Sequence, residues 1–373
     1  MRRSFNTFLV IFSAIHYGLT AYIGLRLAET PAWWALLLVI SVTLWSLPVV
    51  HWRPRDREPP AWAPLAQQAS YVCMAIMSWL LVLTVLRDLT FFVSSFTENA
   101  GAVRAALSGP RVFTAAFALT LLGSWRAFTG PQIKRVRVPL EGAHEGLRGL
   151  RIVQISDLHV GPTIGRRYVE RVVAKVRALD PHLTVLTGDI LDGPASIHKN
   201  EILAFSELEP RGRVYFAPGN HEYYHRIDQW IPELERHGTK ILLNSGELIE
   251  HESLRVWIGG ITDPAAAQMR LGEAPNPGRA ALGGEEAHFK VLLSHRPGYA
   301  DEAHKAGFHL QLSGHTHGGQ FFPWTQVARF FHTYLAGLFR HESMWVYVSV
   351  GTGTWGPPAR LGTTPELTLI ELS

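Results

Sequence analysis

Seven side chains able to hold a metal ion stand where apolar runs of the sequence stop. "ISDLHVG" offers Asp157 and His159, and "LTGDILDG" offers Asp189. "APGNHEYY" offers Asn220 with His221 and Glu222, "LLSHRPG" offers His295, and "LSGHTHGG" offers His315 and His317. Carboxylate and amide oxygens mixed with imidazole nitrogens suit borderline transition metals such as Mn, Fe or Zn, whereas calcium takes oxygen alone. The pairs Asp157/His159 and His315/His317 are each separated by one residue. In extended backbone such pairs point the same way, so each can aim two donors at one small region while Leu158 and Thr316 turn away. Gly188, Gly219, Gly314, Gly318 and Gly319 flank these residues and permit tight turns and close approach of backbone to an anion.

Donors spread over 160 residues need elements that bring them together. "LRIVQIS", "HLTVLTG" and "RVYFAPG" read as short strands. Between them, "RRYVERVVAKVRAL" places Val169, Val172, Val173 and Val176 on one helical face, and "EILAFSEL" reads as a further helix. This alternation predicts βαβ units and a mostly parallel sheet. Downstream, "KILLNSGELIEHESLRVWIGG" reads as several short strands, followed by "FKVLLSH", a helix around 299–305, "FHLQLSG", "MWVYVSVG" and "ELTLIEL". The expected fold class is α/β: two packed sheets flanked by helices. Ligands of open α/β sheets bind beyond the carboxyl ends of strands, so the five loops can converge.

The ordered set D-x-H, G-D, G-N-H-E, H, G-H-T-H resembles the calcineurin-like metallophosphoesterase superfamily, and in particular its membrane-anchored branch. The likeness extends over roughly residues 148–373, with an α/β/β/α sandwich as its implied fold. Any one motif alone is weak, since a lone H-T-H is more often a polar turn; the ordered set is specific. Position by position, the resemblance implies a dinuclear centre of two divalent ions (Mn, Fe or Zn). One ion would take Asp157, His159, Asp189 and His317; the other would take Asp189, Asn220, His295 and His315. His221 is then the expected proton donor to the leaving group, with an ordinary imidazole pKa near ~6.5 suited to that work. Glu222 is expected to orient it. Asn220 and Arg296 are the substrate-binding candidates, the alternative for Arg296 being an ion pair. Asp192 reads as a turn residue, and Arg360 as a weaker candidate for the cleft wall. His225, His332 and the remaining histidines read as surface or packing residues. The aromatic stretch 321–339 reads as core packing, with an apolar lip as the sharper alternative.

Composition divides the chain. Residues 1–130 hold ten Arg, no Lys, five acidic residues and seven of the twelve Trp, while the rest carries 25 basic and 26 acidic residues. The near-neutral second part lacks the basic footprint of a nucleic-acid binder. The only cysteine, Cys73, excludes an intrachain disulfide. Ser4–Leu25, Thr30–Trp52 and Pro59–Leu86 are uncharged for 22, 23 and 28 residues, each enough to cross ~30 Å of hydrocarbon. Val112–Trp125 is shorter and needs Ala105–Pro110, with Arg111 snorkelling, to reach span length.

The expected organisation is a transmembrane region of about four helices (1–130), a basic hinge (131–147) and a metallophosphoesterase domain (148–373). Basic residues cluster before the first stretch (Arg2, Arg3), between the second and third (Arg53, Arg55, Arg57) and after the fourth (Arg126, Lys134, Arg135, Arg137). With four spans, the positive-inside rule puts the catalytic domain in the cytoplasm, at an inner membrane. With three, it faces outward. A membrane anchor is an expensive way to reach a soluble substrate, so the expected partners are membrane lipid and a phosphorylated or lipid-linked small molecule such as UDP-2,3-diacylglucosamine. A non-catalytic metal-stabilised scaffold is the rival reading.

Overall fold

The computed structural model describes residues 2–46, 60–98, 100–140, 142–208, 213–252 and 254–373. The chain divides into two compact units: residues 1–125 with 356–359, and residues 126–355 with 360–373.

The first unit is helical: α1 (Arg2–Leu27), α2 (Pro31–Trp45), α3 (Ala63–Ser94), α4 (Ala100–Ala106) and α5 (Gly109–Phe128). Leu9–Leu27 of α1 and all of α3 are long and apolar enough to cross a membrane. The pair α4–α5 reaches span character only jointly, across a bend of 48°. α2 has 15 residues; the rest of that apolar stretch, with Arg53, Arg55 and Arg57, lies outside the described residues. Polar side chains join the helices, as they do where water is scarce. His16 Nε2 lies 2.7 Å from Ser41 Oγ across α1 and α2, and Asp88 of α3 receives the Tyr22 hydroxyl at 2.9 Å and pairs with Arg26 at 3.1 Å.

The second unit holds two six-stranded sheets. The first is ordered β1 (Gln132–Val138), β12 (Glu366–Leu372), β2 (Arg151–Ile155), β3 (Leu183–Thr187), β4 (Arg213–Ala217), β5 (Thr239–Ile241). From β2 to β5 all pairings are parallel, while β12 runs antiparallel to β2 and parallel to β1. The second is ordered β10 (Gly337–His341), β11 (Met344–Val348), β9 (Leu310–Ser313), β8 (Phe289–Leu293), β7 (Leu254–Gly260), β6 (Ser245–His251), parallel except at its two ends.

Residues 131–147, expected to be a hinge, hold β1. The cause is a period-2 pattern: Val136 and Val138 are buried, while Arg135 and Arg137 face outward. Lys134 pairs with Glu366 and Arg135 with Glu371, so the basic side chains meet acids on the neighbouring strand.

Between the sheets lies a core that includes Ile152, Val185, Tyr215, Ile258, Val291, Leu312 and Ile370. The outer face of the first sheet is covered by α6 (Arg166–Leu179), whose Val169, Val172, Val173 and Val176 pack with Trp230 of α7 (Ile227–Arg236). Phe308, Ala300 and Ala303 cover the second sheet. The layering is therefore α/β/β/α, as the sequence predicts. "EILAFSEL" lies in a helix as expected, of the 3-10 type, Lys199–Glu207. β3 has all five residues buried, as expected of a strand covered on both faces.

Candidate metal centre

The carboxyl ends of β2, β3, β4, β8 and β9 deliver the five loops. Asp157 and His159 follow β2, Asp189 follows β3, Asn220 and His221 open the short helix Asn220–Tyr224 after β4, His295 follows β8, and His315 and His317 follow β9. All are buried except His315, which is intermediate.

Two groups of donors form. In the first, the Nε2 atoms of His159 and His317 lie 3.1 Å apart, and His317 Nε2 is 3.4 Å from Asp157 Oδ1. In the second, His295 Nε2 lies 3.1 Å from Asp189 Oδ2 and 3.2 Å from His315 Nδ1. Asp189 Oδ2 reaches toward the first group as well, 3.9 Å from His159 Nε2, and is 4.0 Å from His221 Nε2. Donor atoms of Asp157, His159 and His317, and those of Asp189, His295 and His315, all fall within 4.8 Å of one another in each group. Imidazole nitrogens that converge this closely without an acceptor between them match what a cation requires.

The backbone pays no heed to the extended geometry expected from the one-residue spacings. Twelve described non-glycine residues have positive φ, and Asp157, His159, Asp189, His315 and His317 are five of them, at 50–71°. Left-handed backbone costs about 1–2 kcal/mol per such residue, and its concentration here marks a functional site. The donors therefore converge because the chain turns sharply past each strand end, and not because they share one face of a strand.

The glycines also do something other than clear space for an anion. A Cβ on Gly314 would lie 2.1 Å from Asp157 Oδ2 and 2.0 Å from Ser156 Oγ. On Gly188 it would meet His295 Nδ1 at 2.6 Å, at a backbone φ of +80°. The room they leave is filled by the protein's own donors.

Hydrogen bonds around the centre orient it. His295 Nδ1 faces the Thr187 carbonyl at 2.9 Å, which fixes the ring with its Nε2 toward Asp189 Oδ2. The His315 amide donates to both Asp157 oxygens at 3.0 and 3.1 Å, and the Ser156 hydroxyl donates to Oδ2 at 2.5 Å. The His221 amide donates to Asp189 Oδ1 at 2.9 Å. Burial pushes the Asp157 carboxyl up. Burial would do the same to Asp189, but His295 and His221 beside it hold it well below the usual carboxylate range. Burial, with His295 and Arg296 nearby, lowers His315 to about 2, and burial holds His317 well below its ordinary value, so both rings are neutral donors.

Glu222 does not serve to orient the His221 ring. Its two oxygens accept four main-chain amides: Asp189 N (2.9 Å), Ile190 N (2.7 Å), Leu191 N (3.1 Å) and Gly219 N (2.7 Å). It ties the Asp189 loop to the turn that presents Asn220. Asp192, read from sequence as a turn residue, takes the orienting position. Its Oδ1 lies 2.8 Å from His221 Nδ1 and 3.0 Å from His225 Nε2, and it is buried. Burial alone would lower the His221 pKa, but Asp189 and Asp192 outweigh it and raise it to about 9.

Arg296 forms the ion pair that was its alternative reading. Its Nε donates to Asp263 Oδ2 at 2.7 Å, and its Nη2 lies 3.5 Å from Asn220 Oδ1. Arg360 is fully buried behind His317, with Nη1 3.1 Å from the His317 carbonyl and Nη2 3.2 Å from its Nδ1. Sequence reasoning set aside His225 and His332. His225 follows His221 by four residues, a spacing that puts neighbours on one helical face, and this was the available signal. His332 stacks edgewise toward His315 at 6.2 Å, and no local pattern announces it. Trp355 lies 5.8 Å from the His221 ring, and the Gln320 side chain bonds its amide and carbonyl.

A two-sheet α/β/β/α protein with two histidine–carboxylate groups meeting at one aspartate is thus a metal-site protein in architecture. Residues 150–319 match the family model of calcineurin-like phosphoesterases. The chain is 36% identical over 262 residues to the transmembrane protein with metallophosphoesterase domain of Danio rerio, covering 68% of this chain and 60% of that one. It is 31% identical over 269 residues to an uncharacterized metallophosphoesterase of Helicobacter pylori, covering 69% of each. It is 30% identical over 227 residues to one from Aquifex aeolicus, covering 60% of this chain and 85% of that one. The match spans 60% of the length of the Danio rerio and Bos taurus relatives. The chain belongs to the calcineurin-like metallophosphoesterase family.

Proposed function

We propose that the protein is a metal-dependent phosphoesterase working at a membrane surface. One observation carries the reading: the Asp189 carboxylate faces both donor groups, 3.1 Å from His295 Nε2 and 3.9 Å from His159 Nε2. Asp157, His159, Asp189 and His317 would hold one divalent ion; Asp189, Asn220, His295 and His315 would hold the other. The O and N donor set suits Mn, Fe or Zn. Such a pair of ions supplies a water of lowered pKa and neutralises charge on phosphoryl oxygens. The protein's own groups do the rest. His221, protonated and aligned by Asp192, donates its proton to the leaving oxygen. Arg296, braced by Asp263, presents its remaining N–H groups to a non-bridging phosphate oxygen beside Asn220.

The expected result is hydrolysis of an aryl phosphodiester or phosphomonoester by the purified full chain with Mn²⁺, lost on chelation and restored by readdition. In the same assay, His221→Asn should slow alkyl esters, whose leaving group needs a proton, far more than nitrophenyl esters, which need none. Equal loss on both would remove His221 from the proton-donor role. A chain that never hydrolyses any of these esters with Mn, Fe or Zn would sink the reading.

The helices α1 and α3 motivate a lipid or lipid-linked substrate. A pyrophosphate such as that of UDP-2,3-diacylglucosamine is the most concrete case, at the cytoplasmic face of an inner membrane. A higher kcat/KM on a long-chain than on a short-chain ester of the same head group is expected, and equal values would argue against it. Orientation is read separately: an alkaline phosphatase reporter fused after residue 130 should be silent if that residue is cytoplasmic, and active if the domain faces outward.

A further inference from the structure

The segment 321–334 leaves the histidine loop and returns to it. It begins two residues after Gly319, and its far end is anchored where the Thr316 hydroxyl donates to the Leu335 carbonyl at 2.5 Å and where His332 approaches His315. Between these anchors it brings Phe322, Val327, Phe330 and Phe331 to the surface, with Phe330 87% and Phe331 77% exposed. The exposure does not come from a loose loop. Phe321 and Thr325 are buried beneath it, the Phe322 amide donates to the Leu361 carbonyl at 2.7 Å, and the Gln326 amide donates to Pro323 at 2.8 Å. A held turn that offers adjacent phenylalanines to solvent is an interaction surface.

The charge pattern selects the occupant. No acidic residue occurs between Glu302 and Glu342, and the exposed Arg329 directly precedes the two phenylalanines. Aromatic rings beside a cation, without carboxylates, complement a layer of anionic head groups over acyl chains. α1 and α3 are long and apolar enough to cross a membrane, which brings a bilayer with the chain.

We propose that residues 321–334 form a lip that enters the lipid head-group layer, with Phe330 and Phe331 at its tip, beside the metal centre. A lipid phosphoester could then reach the His315 side of the centre without leaving the interface. The inference rests on the membrane attachment proposed above, and it holds on whichever face the domain lies.

The test uses the full chain with Cys73→Ala, in nanodiscs of phosphatidylcholine with a minority of phosphatidylglycerol. A nitroxide is placed singly at Phe330→Cys, at Leu86→Cys on α3, and at Glu170→Cys on the exposed side of α6. Collision rates with oxygen, which partitions into lipid, and with a nickel chelate, which stays in water, are read by power saturation. The expected result is oxygen preferred over nickel at 330 and 86, and the reverse at 170. If 330 behaves like 170 while 86 reads lipid, the lip is overturned and the anchor stands. If 86 also reads water, both fall. A label at 330 shielded from both reagents would mean that protein covers it, which equally overturns the proposal. Hydrolysis enters none of these readings, so the lip and the phosphoesterase assignment fail independently.

Discussion

Asp189→Ala is expected to lower kcat/KM on a soluble aryl phosphodiester by about a thousandfold or more, several kcal/mol of lost charge stabilisation at 1.36 kcal/mol per tenfold. The Asp189 carboxylate faces both donor groups and the His221 main chain. Its Oδ2 approaches His295, His159 and His221, and its Oδ1 accepts the His221 amide. Alanine removes both the proposed shared ligand and the brace on the His221 backbone. Asp189→Asn separates the two jobs, because an amide oxygen can still accept the His221 amide while the charge is gone. If the charge matters for binding ions, Asn should lose bound metal, measured by elemental analysis, and lose nearly as much activity as Ala. Full metal content and activity in Asp189→Asn would show that the residue is a brace only.

Glu222→Ala is expected to destabilise the second unit by about 3–5 kcal/mol, since each buried amide left without an acceptor costs about 1–3 kcal/mol and water can relieve part of the sum. Four buried amides would be left without an acceptor, from Asp189, Ile190, Leu191 and Gly219. At about 2–4 °C per kcal/mol for a unit of this size, the transition should fall by about 10 °C. Calorimetry of the detergent-solubilised full chain measures it. Glu222→Gln keeps one acceptor oxygen but turns a donor toward amides that are themselves donors, so it should recover only part of the loss. A catalytic role confined to orienting His221 predicts the opposite pattern, with activity lost and the transition unmoved.

Much of the centre was legible because metal chemistry restricts residue types. Only a few side chains ligate, and they stand just past apolar runs that had to be strands. The layering was legible for a similar reason, since period-2 and period-3.6 patterns alternate through residues 151–217. β1 is less legible because its arginines and lysine read as a tether, although Val136 and Val138 alternate with them. Asp192 carries no local sign of its role, because an aspartate before a glycine is so often a turn residue. Its burial against His221 and His225 depends on how the Asp189 loop folds back over Val160, where the Asp192 amide bonds the Val160 carbonyl at 2.7 Å.

Sequence by itself determined which atoms are available: the oxygen and imidazole donors, their order, the parallel strands that end beside them, and the apolar stretches of span length. These follow from side-chain chemistry and local periodicity, which need no distant partner. Tertiary structure brings about the parting of His315 and His317 that the family resemblance implies, one beside His295 and the other beside His159. It also decided that Glu222 serves backbone amides while Asp192 serves His221. Those choices depend on left-handed turns at five donor residues and on contacts between loops as much as 158 residues apart. No local pattern encodes such contacts, because they exist only once two sheets have packed face to face.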